Sequence, residues 1–210
     1  MSIGSLALNP DGQELAWVRE ICSSNGQVDY AQGTLVVSNL KTGGQRVMPM
    51  PEPSFADSKF RLDSTGRFLA FSDVEVGSEV AALTSHVYVV DLATAHSVAD
   101  NRIVPSSPGC ALSNPQYEPR SELLLVERAC VEPDGTITTT LSIVDSDTGA
   151  LKATVVTLPQ GHQLVGLSLD SSGNSVLYGL IDSEGAPDLF RSAHGHVVHI
   201  PGAIPSGATW

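Results

Sequence analysis

The sequence predicts an all-β chain in which one four-stranded sheet unit is written four times. The first observation behind this is a near-duplicate: ELAWVREIC at 14–22 comes back as ELLLVERAC at 122–130. The second is a set of landmarks that recur in fixed order across the chain. The third is a run of short segments apolar on both faces, in a sequence without the 3.6-residue periodicity of helices.

Each unit opens on a short apolar strand (SLAL, KFRL, CALS, VGLSL) that leads into a turn. The turns are NPDG (9–12), DSTG (63–66), NPQYEPRS (114–121, with an insertion) and DSSG (170–173), all built from residues that close tight reversals. The second strand follows at once. Aligned on it, Leu15, Leu69, Leu123 and Val176 fall at steps of 54, 54 and 53 residues. The third strand lies in TLVVSNLKTGG (34–44), HVYVVDLATA (86–95), TLSIVDSDTGA (140–150) and a shortened DLFRSAHG (188–195). The fourth ends on an apolar residue and a proline, at Met48-Pro49, Val104-Pro105, Leu158-Pro159 and Ile200-Pro201, where ladder donors are no longer needed.

Four units of this size with four strands each predict a single β-propeller domain over 1–210. Its blades fall at roughly 5–50, 55–105, 109–159 and 162–202. It closes either as a four-bladed ring or stands as an open arc of a larger propeller. A two-sheet sandwich does not explain why the whole unit repeats. Trp17, in the middle of a second strand, reads as core.

Composition narrows the functional classes. The chain has 210 residues, 41% of them apolar, and a formal charge of −12 from 23 acidic and 11 basic residues. That balance argues against nucleic acid, whose binding rests on Lys and Arg neutralising phosphates. No apolar run approaches the length of a membrane helix, and the opening MSIGSLALNP shows no export signal. Of the three cysteines, Cys22, Cys110 and Cys130, the plain reading is free buried thiols. The alternative is a Cys110–Cys130 bridge, because both fall in one unit.

Site candidates are few. The connections between second and third strands gather at one end of a propeller. Here they carry Asp29, Glu75, Glu79, Glu132, Asp134 and Glu184 and contain no Lys or Arg. They outline an acidic mouth for a basic protein or peptide segment. The plainer alternative is that these loops are acidic because the whole chain is. HGHVVH (194–199) is the one histidine cluster: His194 and His196 share a face of an extended segment and could ligate a metal, but the segment aligns with the hairpins of the other units and a polar turn is the plainer reading. DSDTG (145–149) has the start of a calcium loop but lacks its later oxygen ligands, and reads as a turn. No nucleophile elbow, P-loop or dinucleotide fingerprint occurs, and no cofactor is expected.

NPDGQELAW followed by LVVSNLKTGG, and DSTGRFLAF followed by VYVVDLATA, resemble the WD40-like β-propeller repeats of the TolB type known from bacteria. The Gly-His and Trp-Asp dipeptides of eukaryotic WD40 blades are missing. The resemblance spans nearly the whole chain, is specific for the repeat and not for an activity, and implies an extracytoplasmic or envelope-linked setting; the role read for the chain is a non-enzymatic scaffold presenting loops to a protein or peptide. It also leaves room for a gating or accessory propeller of a peptidase, and a metal-dependent lyase or hydrolase is a further alternative. If the propeller is an open arc, its uncovered end blades imply pairing with another copy, as a homodimer, or with missing blades.

Overall fold

The computed structural model describes residues 2–22, 28–50, 60–72 and 85–202. Within them are sixteen strands and no helix, in four antiparallel sheets ordered as the chain runs. Blade 1 is β1 (Ser2–Leu8), β2 (Glu14–Cys22), β3 (Val28–Asn39) and β4 (Gln45–Pro49). Blade 2 is β5 (Arg61–Leu62), β6 (Phe68–Ser72), β7 (Val87–Asp91) and β8 (Arg102–Ile103). Blade 3 is β9 (Cys110–Tyr117), β10 (Leu123–Val131), β11 (Ile137–Asp145) and β12 (Leu151–Thr157). Blade 4 is β13 (Gln163–Leu169), β14 (Ser175–Ile181), β15 (Pro187–Ala193) and β16 (His196–Ile200). The first strands of successive blades, β1, β5, β9 and β13, touch in turn, which sets the sheets around a common axis as a four-bladed β-propeller.

The blades stack through three buried cores. Ala16, Val18, Leu35 and Val37 of blade 1 meet Leu62, Leu69, Phe71 and Val90 of blade 2. Ala70, Val87 and Val89 of blade 2 meet Leu124, Val126 and Val144 of blade 3. Leu125 and Leu141 of blade 3 meet Leu164, Val176, Tyr178 and Leu180 of blade 4. This explains why second strands are apolar throughout. Leu124, Leu125 and Val126 are consecutive and all fully buried, because successive side chains enter different interblade cores. Each blade therefore has a leading face, toward the blade before it, and a trailing face, toward the blade after it.

The register corrects the alignment of the near-duplicate. The turn entering each second strand is closed by one equivalent backbone bond: Asn9 N to Glu14 O, Asp63 N to Phe68 O, Glu118 N to Leu123 O, Asp170 N to Ser175 O. Glu14 is thus the counterpart of Leu123, not of Glu122. The true equivalents are Leu15, Leu69, Leu124 and Val176, at steps of 54, 55 and 52. Matching the two nine-residue strings letter by letter is wrong by one residue, and in a strand one residue exchanges the two faces.

Polar latches reinforce two seams. Arg46 on β4 donates to the carbonyls of Leu92 (3.0 Å) and Gly66 (3.4 Å) in blade 2. Arg102 on β8 donates to Ser146 O (2.5 Å) and pairs with Asp147 (2.5 Å) in blade 3. Both bind the turn between the third and fourth strands of the next blade. At the second of these turns, Gly149 has φ +65° and presses so closely on Pro105 O of blade 2 that a Cβ there has no room.

The cysteines depart from the plain reading of free thiols. Cys110 and Cys130 are joined by a disulfide across β9 and β10. They face each other in the ladder, flanked by the Val131 N to Gly109 O bond. They thus form a non-hydrogen-bonded pair, the class in which opposite side chains lie closest.

Candidate functional site

The connections at the acidic end are tighter than the sequence suggests. In blade 3, β10 and β11 run out to a turn over 132–136, closed by Glu132 N to Thr136 O (2.8 Å), with Gly135 at φ +83°. In blade 4 the turn over 182–186 repeats this, closed by Asp182 N to Ala186 O (3.1 Å), with Gly185 at φ +82°. What looks like long loops is mostly strand. Asp29 likewise lies on β3, paired with Ile21 of β2, rather than in a loop. Glu75 and Glu79 lie outside the described residues.

The structure therefore brings Glu132 and Asp134 together on one turn and places Glu184 on the equivalent turn of the next blade. Asp134 accepts from the Thr136 hydroxyl (2.7 Å) and amide (3.0 Å), and these bonds hold its carboxyl below the ordinary carboxylate range. Asp182 accepts the amides of Glu184 (2.9 Å) and Ala186 (2.8 Å). The two aspartates shape their turns, whereas the exposed side chain of Glu184 and the half-buried one of Glu132 lie beside them. The neighbouring connections at the same end, 105–109 and 159–162, contain no Lys or Arg.

The opposite end mixes cations with carboxylates: Lys41 and Arg120 are exposed there, as are Asp11 and Asp100. Arg67 grips Asp91 with two bonds of 2.9 and 2.6 Å, and Lys152 lies 3.7 Å from Asp145. Arg46 and Arg102 are held in their latches. Among the described residues, no ion pair involves Glu132, Asp134, Asp182 or Glu184. The described turns at the first end thus carry carboxylates without cations, whereas those at the opposite end carry both.

The histidines divide differently from expectation. His194 and Gly195, at φ +51° and +78°, form the two-residue turn between β15 and β16. His194 and His196 are exposed, and among the described residues no group of three His, Cys, Asp or Glu side chains could hold a metal. His199, not His196, has a carboxylate beside it: its Nε2 lies 2.8 Å from Asp188 Oδ1, across the hairpin. DSDTG is a turn, with Asp145 Oδ1 accepting from Asp147 N, Thr148 N and the Thr148 hydroxyl.

One polar group on the inner strands had no sequence motif to announce it. Glu127 Oε2 accepts from Ser113 Oγ (3.0 Å) and Asn114 Nδ2 (2.7 Å), where the β9–β10 register shifts and Asn114 adopts φ +50°. The available signal was the charged pair Glu127–Arg128 in the middle of an otherwise apolar strand. The bulge it supports sits on the axial side of blade 3.

No protein-family model matches the chain, and no curated protein matches it. Solved structures do. A chain of a nidogen–laminin complex matches with TM-score 0.59 at 14% identity, over 99% of this chain and 68% of that one. A structure described as putative TolB from Agrobacterium tumefaciens matches with TM-score 0.57 at 12% identity, over 99% and 86%. The fold is a TolB-type β-propeller. An acylaminoacyl peptidase from Pyrococcus horikoshii matches with TM-score 0.51 at 14% identity over 94% of this chain, which spans about a third (32%) of the peptidase.

Proposed function

We propose that the chain is a non-enzymatic binding propeller whose acidic end captures a basic segment of a protein or peptide partner. One observation carries this reading: the charge asymmetry between the two ends. At one end cations lie among the carboxylates, Arg67 and Lys152 against aspartates and Arg46 and Arg102 on carbonyls, while the turns at the other present Glu132, Asp134, Asp182 and Glu184 with no Lys or Arg among them. Aligned turns on neighbouring blades add their fields, which raises the encounter rate and affinity for positive charge at low salt. The rigid ladders beneath hold the turns without an ordering cost on binding.

The test uses an oligo-arginine peptide as probe and the Glu132→Gln/Asp134→Asn/Glu184→Gln triple variant. Asn retains the acceptor that Thr136 needs, so the turn survives. Binding that weakens in the variant and falls with added salt is expected. Equal binding by both proteins removes the acidic end as a partner site.

A second reading, an accessory propeller for a hydrolase, draws on the match to a third of a peptidase chain. It requires a hydrolase domain in the same natural polypeptide or a hydrolase that co-purifies, and neither is required for peptide capture.

A further inference from the structure

The three packed seams follow one rule, and the fourth does not obey it. On every leading face the same positions are buried: Leu69 and Phe71 in blade 2, Leu124 and Val126 in blade 3, Val176 and Tyr178 in blade 4. In blade 1 those positions are Leu15 and Trp17, and both are only half-buried. Trp17 is therefore not the core residue that its mid-strand position suggests. It lies on the leading face, with its Nε1 on Ser38 Oγ at 3.3 Å.

The first strand repeats the contrast. Leu6 and Leu8 are 52% and 51% exposed, whereas their equivalents in blade 2, Phe60 and Leu62, are 0% and 3% exposed. Val47, in line with Leu6, Trp17 and Val36 across the sheet, is 53% exposed. The turns agree. Leu40 of blade 1 is 54% exposed, while its equivalents Leu92 and Ser146 are buried under the Arg46 and Arg102 latches. A Cβ on Gly149 would strike Pro105 O, and one on Gly66 would meet Glu14; on their counterparts Gly43 and Gly12 it meets nothing within 4 Å. Among the described residues, the contacts that a preceding blade makes at these positions on blades 2 and 3 have no counterpart on blade 1, where only Val36, in the middle of the face, is fully buried.

Blade 4 bears the matching surface. Its trailing face carries Leu177 and Leu189 at the positions where Ala16 and Leu35 of blade 1 enter the first core. Val198 beside them is 58% exposed, and Arg191, exposed and bonded to Ser175 Oγ, lies one strand inward of the position that Arg46 and Arg102 occupy in their blades. Among the described residues no buried cluster joins this face to blade 1.

We infer that the leading face of blade 1 is an interblade interface whose occupant is the trailing face of blade 4 from a second copy of this chain. The interface is continuous with the three that already exist, since it uses the same rows of the same sheets. The surface that fits it is on the page: the blade 4 face has the apolar centre that covers Leu15 and Trp17 and a guanidinium for the carbonyls of Gly12 and Leu40. Because the two faces differ, the contact is head-to-tail, and each copy offers one of each.

Sedimentation of the chain at micromolar concentration tests this. Twice the 22.0 kDa chain mass is expected. Leu8→Glu and Val198→Glu, both at half-exposed positions and so compatible with folding (checked by circular dichroism), should each abolish the two-chain species. Mixing the two variants should restore it, because one intact blade 4 face then meets one intact blade 1 face. A wild-type chain that stays monomeric overturns the inference and gives the face to some other occupant. So does a pair broken by only one of the two substitutions, which would mean that like faces meet.

Discussion

Gly149→Ala and Gly43→Ala make the sharpest test of the interblade packing. Both glycines occupy the same position in the turn between third and fourth strands, at φ +65° and +74°. Alanine in that left-handed region costs about 1–2 kcal/mol at either site. Only Gly149 is pressed against the preceding blade, where a new methyl would displace the backbone carbonyl of Pro105. Backbone cannot swing aside as a flexible side chain can, so overpacking adds about 1–3 kcal/mol at Gly149 alone. The expected losses are therefore about 1–2 kcal/mol for Gly43→Ala and about 2–5 kcal/mol for Gly149→Ala. The comparison is made by urea denaturation in the Val198→Glu background, which keeps the blade 1 face uncovered. Equal losses at the two sites would refute the claim that blade 2 presses on blade 3 there.

Arg102→Ala removes a half-exposed latch on Ser146 and Asp147, and should lower stability by about 1 kcal/mol, less at high salt; no change in denaturation midpoint would remove the latch from the account. Reducing the Cys110–Cys130 bridge, whose cysteines are 20 residues apart, should cost about 3 kcal/mol by the loop-entropy rule, read as a midpoint shift with and without reductant. Tyr117 has a buried hydroxyl with no hydrogen-bond partner among the described residues, and burial raises its pKa, so Tyr117→Phe should leave stability unchanged or slightly improved; a clear loss would reveal a partner for the hydroxyl. The Arg67 hydrogen bonds hold the Asp91 carboxyl at about 2, below its ordinary 3.8. The stability from this pair is thus full above pH 3.8 and lost as pH falls through about 2, and Arg67→Ala should return the Asp91 titration, followed by NMR, toward 3.8.

The sequence by itself determined the repeating unit. Turn residues, prolines at the ends of fourth strands and doubly apolar second strands are local signals, and a blade is built from neighbours in the chain joined by short turns. Those signals also marked the acidic turns at Glu132, Asp134 and Glu184, and placed Cys110 and Cys130 in one blade. Tertiary structure decided everything that depends on which way a strand faces. The strings ELAWVREIC and ELLLVERAC look like one element, yet the hydrogen bond closing each turn offsets them by one residue. Ala16 therefore packs toward the following blade and Leu124 toward the preceding one. The same cause returned Trp17 to a half-open face, put Asp29 on a strand, and set Asp188 against His199 instead of against the paired histidines upstream. Side-chain direction alternates with every residue, so it is settled by pairing with a strand elsewhere in the chain and by the blade that does, or does not, stand next to it.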